Sequence, residues 1–168
     1  MIYFVTENYL KTNTALTKNI QASDIAPFVK TSSDMRVQTI LGTYFYDYLL
    51  TAFNTEALTT DEEALVNKIK PFIAWLSAEQ ASISLSFQVK NKGVQVQQGE
   101  FSSNASLNEV QFLAEFFSSK AKFYEERLVK YLKANASLFP QFTSDLNDSD
   151  IKPMSNQGYK DNFGFFTV

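Results

Sequence analysis

Residues 106–136 read SLNEVQFLAEFFSSKAKFYEERLVKYLKANA, and this stretch decides the fold class. It predicts one long helix that begins at Ser102, Ser103 or Ser106 and continues to about Ala136. At 1.5 Å per residue, such a helix spans roughly 45–50 Å. One apolar stripe follows the helical period and consists of Val110, Leu113, Phe117, Ala121, Tyr124, Leu128, Tyr131 and Leu132.

A second apolar stripe on the same helix consists of Phe112, Phe116 and Phe123. It broadens the apolar face beyond what a single packing partner requires. Two interpretations fit this pattern: a central core helix that is covered on most sides, or a helix that contacts another subunit. The charged residues of the helix are predicted mostly to form a solvated face, and they are Lys120, Lys122, Glu125, Glu126, Arg127, Lys130 and Lys133.

Shorter helices are predicted upstream of this stretch. Ile2–Val5 is an apolar run that fits a strand or a packed extended segment, and helical potential follows at Glu7–Leu10. Ser23 or Asp24 is the predicted N-cap of the next helix, and Asp34 is the predicted N-cap of another. These features indicate a small helical bundle.

The bundle is predicted to continue beyond Gly42, which interrupts the helical pattern. Phe45, Leu49 and Phe53 then recur every four residues, as on one helix face. The acidic run Thr59–Glu63 supplies a cap and early acids for a further helix that extends to about Ser82. Pro71 lies inside that helix and predicts a kink or a break.

Residues 84–98 change to a period of two, which is typical of strands. Pairing Val89 with Val94 and Phe87 with Val96 places the apolar side chains on one face, whereas a slip of one residue would set them opposite polar ones. This register predicts a β-hairpin whose turn consists of Lys90, Asn91, Lys92 and Gly93. The fold class is therefore mainly α, with a long C-terminal helix and one β-hairpin.

The character of the chain changes after Pro140, because residues 143–162 are polar and acidic and support neither a helix nor a strand. The predicted organisation is a helical domain over residues 1–139 and an extended C-terminal arm over residues 140–168. The arm ends in three phenylalanines that a solvated tail would not require, Phe163, Phe165 and Phe166. They either fold back on their own domain or dock on a neighbouring subunit or another protein.

Composition excludes several functional classes. The chain has no His and no Cys, so thiol nucleophiles, zinc–cysteine sites and histidine bases are absent. A phosphate-binding glycine loop, a signal peptide and a membrane-length apolar run are also lacking. A net charge of −3 argues against a protein that binds nucleic acid directly. With 16 Phe and 8 Tyr, the composition predicts a non-catalytic assembly protein that needs no cofactor and no metal.

Short motifs in the N-terminal third resemble the head–tail adaptor family of tailed phages, most closely the versions in crAss-like and other Bacteroidetes phages. They are Ile2–Val5, Thr6–Lys11, Asn19-Ile20, Asp24–Val29, Ser33-Asp34, Ile40-Leu41-Gly42 and Phe45–Leu49. The resemblance covers residues 1–55 well and the remainder in the order of elements. Ser32-Ser33-Asp34 stands where the family would have Ala-Gln-Asp.

The resemblance implies a structural virion protein at the head–tail junction, made in the host cytoplasm. Its partners would be other copies of itself in a ring of about twelve, the portal protein and tail-side proteins, with DNA passing through the channel without specific binding. No membrane is implied. The alternative function is a monomeric protein-binding module or inhibitor that uses its aromatic residues on one host protein.

Overall fold

The protein is a helical bundle built around two long helices. The computed structural model describes residues 3–16, 19–90, 93–96, 106–144 and 150–154. The helices are α1 (Glu7–Asn13), α2 (Ala22–Ser32), α3 (Gln38–Leu41), α4 (Thr43–Asn54), α5 (Thr60–Ser86) and α6 (Leu107–Ala134). The other elements are a π-helical turn (Ser33–Val37), a 3-10 turn (Ala136–Leu138) and the strands β1 (Phe87–Lys90) and β2 (Gly93–Val96). The predicted mainly α fold is confirmed.

The two long helices, α5 and α6, pack against each other in antiparallel orientation. The ring of Trp75 lies 5.7 Å from the ring of Phe117, and Lys68 Nζ lies 5.8 Å from the ring of Tyr131. Earlier residues of α5 therefore meet later residues of α6. At 27 and 28 residues, each helix is about 40 Å long. This pair forms the frame on which the shorter helices assemble.

The core draws side chains from all six helices. Its largest fully buried side chains are Phe4, Leu10, Ile25, Leu41, Phe45, Leu49, Leu65, Ile69, Phe72, Ile73, Leu128 and Phe139. Phe4 precedes α1 and packs edge-on against Tyr46, with ring centroids 5.9 Å apart. The described residues of the N-terminal apolar run thus form a packed segment that bends at Phe4 and is not a strand.

The predicted cap positions near α2 and α3 are wrong. Helix α2 begins earlier than Ser23 or Asp24, with Gln21 as its N-cap residue. Asp34 does not start a helix, because the chain keeps helical dihedral angles through Ser32 and continues into the π-helical turn. An N-cap residue needs extended dihedral angles. The Asp34 carboxylate instead pairs with Lys30 and accepts a hydrogen bond of 3.3 Å from the hydroxyl of Tyr46.

Gly42 separates α3 from α4, as the pattern predicts. Its φ of 80° and ψ of 151° lie in a region that residues with a β-carbon rarely occupy. The chain therefore changes direction here without distorting a bulkier residue. Gly42 is itself buried, so the turn lies against the core.

Helix α5 has the cap that the sequence predicts, but it is not broken at Pro71. The predicted cap is present, because Thr59 N–H donates to Glu62 Oε2 at 2.8 Å and Glu62 N–H donates to Thr59 Oγ1 at 3.3 Å. The break predicted at Pro71 is absent, since α5 continues to Ser86. Proline removes one backbone donor, but Ile69, Phe72 and Ile73 around it are fully buried. Their packing outweighs the local cost.

Strands β1 and β2 connect α5 to the segment before α6. They pair antiparallel, with Phe87 opposite Val96 and Val89 opposite Val94, the register predicted from the alternating residues. Lys90 and Gly93 are opposite one another as the last paired positions, while Asn91 and Lys92 lie outside the described residues. The first strand begins at Phe87 rather than near residue 84, because α5 extends past its predicted end.

The described part of the predicted C-terminal arm contacts the helical domain. Phe142 is buried, and its ring lies 6.0 Å from the ring of Phe45. Thr43 Oγ1 donates to Asp150 Oδ2 at 2.9 Å, and Thr43 N–H donates to the carbonyl of Ile151 at 3.0 Å. The predicted boundary between residues 139 and 140 remains a prediction, but packing against the domain continues on its C-terminal side.

Candidate interaction surface

Helix α6 carries apolar side chains on two opposite sides. With 100° between successive residues, Phe116 and Phe123 lie within about 40° of Phe112 around the helix axis. Ala121, which is buried against the core, lies about 180° from Phe112. The second stripe adjoins the first, because the ring of Phe116 lies 5.9 Å from that of Phe117 and the ring of Phe123 lies 5.3 Å from that of Tyr124. Its three residues are called here the outer face of α6 (Phe112, Phe116 and Phe123).

The outer face is exposed. Phe112 is 74% exposed, Phe116 is 45% exposed and Phe123 is 55% exposed. On the opposite side of the helix, Val110, Ala114, Phe117, Ala121, Leu128, Val129 and Leu132 are buried. The three phenylalanines thus contribute little to the core of their own domain. Of the two interpretations of the second stripe, the central core helix is wrong, and the subunit contact remains a prediction.

Two cations lie along the outer face. Lys120 Nζ is 5.1 Å from the centroid of the Phe116 ring, and the Arg127 guanidinium is 5.7 Å from the centroid of Phe123. Such cation–ring contacts at exposed sites contribute about 0.5–1 kcal/mol each. They also hold the stems of both side chains against the rings. The outer face is therefore aromatic, with a positively charged margin.

Helix α6 forms a nearly buried ion pair with the π-helical turn. Arg36 Nη2 donates to both carboxylate oxygens of Glu125, at 2.8 Å to Oε1 and 2.7 Å to Oε2. Glu125 is only 7% exposed, so its carboxylate depends on this partner. The pair lies on the same side of α6 as the buried apolar residues, whose packing sets where the outer face points.

Glu125 is the residue that the sequence interpretation misplaced, because it was grouped with a solvated face. A signal was available in its spacing. Glu125 follows Ala121 by four residues and precedes Leu128 by three, which places it on the buried side of α6. A charged residue at such a position is buried only when it is paired. Its partner Arg36 is 89 residues away, and the sequence offers no sign of that contact.

Glu79 lies near the same ion pair. Burial raises the pKa of its carboxyl, while a hydrogen bond from Ser118 and the charge of Arg36 lower it to a smaller extent. The interface between α5 and α6 therefore contains two acidic groups near one arginine. Arg36 donates to both carboxylate oxygens of Glu125, so these charged groups connect the π-helical turn to α6.

The N-terminus of α6 is held by a capping box. Glu109 N–H donates to Ser106 Oγ at 3.3 Å, and Ser106 N–H donates to Glu109 Oε2 at 2.7 Å. Of the three serines proposed as the start, Ser106 is therefore the N-cap residue. Hydrogen bonds from the backbone and the hydroxyl of Ser106 lower the pKa of Glu109. The cap supports the first turns of α6, including the turn that carries Phe112.

Several predicted site residues lie outside the described part of the chain. Phe163, Phe165 and Phe166 are among them, as are Asn91 and Lys92 of the predicted hairpin turn. Whether the three phenylalanines belong to the same surface as the outer face of α6 stays a prediction.

Within the described ranges, no group of three or more acidic residues is placed so that it could hold a metal ion. The helices of that part of the chain also include none that combines the length and the apolar character needed to cross a membrane.

The fold and the surface together define a helical protein whose longest helix has one face in the core and an opposite aromatic face that the described residues leave exposed. The chain belongs to DUF6712, a family of unknown function, which it matches over residues 37–150. The match begins in the π-helical turn, includes all of α6 and ends at Asp150. No curated protein and no solved structure matches the chain.

Proposed function

We propose that this chain is a structural virion protein of a tailed phage, which forms an oligomeric ring between portal and tail and extends the DNA channel. In this role it is not an enzyme, and it acts in the virion at the head–tail junction. The observation that carries the proposal is the exposed outer face of α6. The resemblance of residues 1–55 to phage head–tail adaptors supplies the specific function.

The outer face supports the proposal because a ring subunit must cover more apolar surface than its own core does. Monomeric proteins scatter single apolar residues over their surface, but they rarely keep a large contiguous apolar patch exposed. Phe112 and Phe116 lie on successive turns of one helix, and Phe123 lies on the same side two turns after Phe116, so the three exposed rings lie along one line of α6. A neighbouring subunit or the portal would cover it.

The rigidity of α6 supports the same role. Its first turn is held by the Ser106–Glu109 capping box, and its middle is held by buried apolar residues and by the Arg36–Glu125 ion pair. A contact surface on a locked helix loses little conformational entropy when a partner binds. Assembly into a ring benefits from such a surface because the angle between neighbouring copies must repeat around the ring.

The residues that carry the resemblance have structural positions consistent with a shared fold. Phe4, Leu10, Ile25, Leu41 and Phe45 are all in the core. Because a fold can serve many functions, a likeness between cores supports the architecture more strongly than the role. The connector role therefore depends on the experiments below.

Charge is consistent with a channel that DNA passes through. A net charge of −3 per chain gives a total of about −36 for a ring of about twelve copies. Acidic residues along a channel would let DNA slide, since attraction to phosphate is what retains it. The acidic assembly would thus conduct DNA without binding it specifically.

The proposal can be tested by co-expressing the chain with the portal protein of the phage that encodes it. Purified complexes would be examined by electron microscopy for a ring below the portal. The proposal predicts that ring, and a portal gene near the gene for this chain. A folded chain that never binds portal, and instead captures one host protein as a monomer, would favour the alternative of a binding module or inhibitor.

The C-terminal arm needs its own test, in which the truncation leaves the domain intact. Phe142 is buried and Ile151 is bonded to Thr43, so a chain that ends after Met154 keeps both contacts. If residues 155–168 dock on portal or on a neighbour, this truncation weakens assembly without lowering stability. Unchanged assembly would refute the docking role of Phe163, Phe165 and Phe166.

A further inference from the structure

We propose that α6 of each copy contacts the corner between α4 and α5 of the next copy, so that a basic surface meets an acidic one all around the ring. The inference rests on the ring of the proposed function, though not on its position below the portal, and it names the two surfaces that neighbouring copies bring together. Its basis is an uneven distribution of charge that no salt bridge within one chain neutralises.

The C-terminal half of α6 carries a basic surface, although the chain has a net charge of −3. Residues 119–134 expose five cations and one acid, Glu126. By the helical period, the five cations lie within about 80° of Phe112 around the axis, on the side away from the core. They define the basic surface of α6 (Lys120, Lys122, Arg127, Lys130 and Lys133).

The corner between α4 and α5 carries the opposite charge. Residues 37–67 contain five acids and no Lys or Arg. The hydroxyl of Tyr48 donates to the carboxylate of Glu62, a contact that raises the pKa of Tyr48, so the middle of α4 lies beside the first turn of α5. The four exposed acids of this stretch define the acidic corner (Asp47, Glu56, Asp61 and Glu63).

Neither surface is neutralised within one chain. Among the residues that the structure describes, the cations of the basic surface and the acids of the acidic corner take part in no salt bridge. The two surfaces are therefore not paired with each other in a single chain. Exposed like charges repel one another, and an oppositely charged surface on another chain relieves that repulsion.

Helix dipoles account for only part of this distribution. Asp61 and Glu63 lie in the first turn of α5, and Lys133 lies in the last turn of α6, where the dipole stabilises each sign of charge. The dipole acts only within those turns. It explains neither Asp47 in α4 nor the four cations that precede Lys133 in α6.

Aromatic side chains accompany the charges on both surfaces. Phe116 and Phe123 lie among the cations of α6, and Tyr44 and Tyr48 are exposed on α4 within one turn of Asp47. Interfaces between proteins are enriched in aromatic side chains, and opposite charges fix which surfaces meet. The two surfaces of this chain are complementary in both respects.

A second copy is the occupant that these observations select for the basic surface. Every copy carries an acidic corner, so each copy supplies the surface that the next one lacks. Contact between two different surfaces of the same chain is heterologous, and it repeats from copy to copy until the rotation closes a ring. Duplex DNA is another polyanion, but it would also meet the acids of the corner, which repel phosphate.

Zero-length crosslinking tests this contact directly. A carbodiimide joins a lysine amine to a carboxylate only where the two groups touch, and an equal mixture of isotopically light and heavy full chains separates links between chains from links within one. We expect mixed light–heavy links between lysines of the basic surface and acids of the acidic corner. The measurement is made on the concentrated chain alone and on the chain co-expressed with portal.

Two charge-reversal variants make the test specific. Lys122→Glu with Lys130→Glu reverses part of the basic surface, and Asp47→Lys with Glu56→Lys reverses part of the acidic corner. All four positions are exposed, so both variants should fold. Each variant alone sets like charges against each other at every contact, and we expect the links between chains to fall at least about tenfold.

An equal mixture of the two variants should restore the links. In a ring where the variants alternate, every contact again pairs opposite charges, and each pair still contains an amine and a carboxylate. The control is Lys30→Glu with Lys152→Glu, which changes the net charge as the α6 variant does, at exposed positions outside the basic surface. Mixed with the corner variant, this control should restore no links.

Three results would overturn the inference. They are a wild type that gives no mixed links between the two surfaces with or without portal, a mixture of variants that links no better than either alone, and a control that restores links equally well. Protection of the basic surface by duplex DNA or by portal, in place of a second copy, would also overturn it. The connector role is decided separately, because a ring below portal whose copies meet through other surfaces retains that role, whereas crosslinked rings that do not bind portal exclude it.

Discussion

At the scale of single residues, the contact between Arg36 and Glu125 connects the local structure to the surface that function would use. Glu125 is placed on the buried side of α6 by the helical period, and a carboxylate there is tolerated only with a partner. Arg36 reaches it from the π-helical turn and bonds both of its oxygens. The contact thus joins the π-helical turn to the helix that carries the outer face.

Removing one member of the ion pair should destabilise the protein. We expect Arg36→Met or Glu125→Leu to lower the free energy of unfolding by about 3 kcal/mol, because each leaves a charge that is partly or wholly buried without its partner. The double variant should recover most of that loss. Urea denaturation of the four proteins gives the coupling energy. Additive effects in the double variant would show that the pair does not act as a unit.

Glu79 should make stability depend on pH. Its pKa is raised by burial, so the stabilising contribution is fully present below its ordinary value of 4.5 and is lost as pH rises through the folded value. Glu79→Gln should therefore raise the melting temperature at about pH 7, and the gain should shrink as pH falls below the ordinary value.

Glu109→Gln is the control of opposite sign for that experiment. The pKa of Glu109 is lowered, so its contribution is present above the ordinary value and lost as pH falls through the folded one. This variant should lower the melting temperature near neutral pH. If the melting temperatures of both variants changed with pH in the same direction relative to the wild type, the direction of one of the two pKa shifts would be wrong.

At the scale of elements, the fold depends on where helices stop as much as on where they form. Gly42 ends α3 and starts α4 with φ at 80°, which lets Leu41 and Phe45 both enter the core. The π-helical turn has the opposite effect, because it keeps α2 and α3 in one continuous path. That continuity positions Arg36 beside α6.

Gly42→Ala tests the turn. A β-carbon at these dihedral angles should cost about 1–3 kcal/mol of folding free energy, since the region is occupied almost only by glycine. Thr51→Ala, on the exposed side of α4, is the control and should change stability by less than about 0.5 kcal/mol. Denaturation midpoints provide the comparison. If both substitutions changed the stability equally, the backbone at position 42 would not require glycine.

The sequence predicted those elements that local patterns determine. The long helix α6, the caps at Thr59 and Ser106, and the turn at Gly42 follow from spacing and from local hydrogen bonds. The cap predicted at Asp34 and the break predicted at Pro71 are absent, while the kink predicted at Pro71 as the other possibility stays a prediction. Asp34 has Lys30 and Tyr46 as partners, and Pro71 is surrounded by residues packed in the core.

The candidate site was predicted only in part, for a related reason. Spacing identified Phe112, Phe116 and Phe123 as a stripe, but the helical period alone does not say which side a domain covers. Burial in the folded chain decides that, and it leaves all three exposed. The Arg36–Glu125 contact depends on long-range packing that no local pattern encodes.

At the scale of the whole molecule, the domain buries a complete core and still exposes an aromatic face on one helix. Phe142 and the Thr43 bonds to residues 150 and 151 close the core at the C-terminal side. The outer face of α6 remains apart from these contacts. We expect it to be the surface that a second chain covers, whether that chain is a copy of this one or another virion protein.

Substituting the outer face should separate assembly from folding. The triple variant Phe112→Ser, Phe116→Ser and Phe123→Ser should keep the stability of the wild type within about 1.5 kcal/mol, because these rings are largely exposed. Its association with portal or with itself should weaken at least about tenfold. The matched control replaces three apolar residues that are exposed elsewhere, Met35→Ser, Ile83→Ser and Leu138→Ser. Equal loss of assembly in both variants would contradict a specific role of the outer face.

Electron cryo-microscopy of the full chain co-expressed with the portal protein is the decisive experiment for the proposed connector role. If the role is right, a ring of this chain lies below the portal, and Phe112, Phe116 and Phe123 of every copy lie in a contact with another chain. A chain that does not bind portal, or a ring that leaves these three side chains facing solvent, would contradict it.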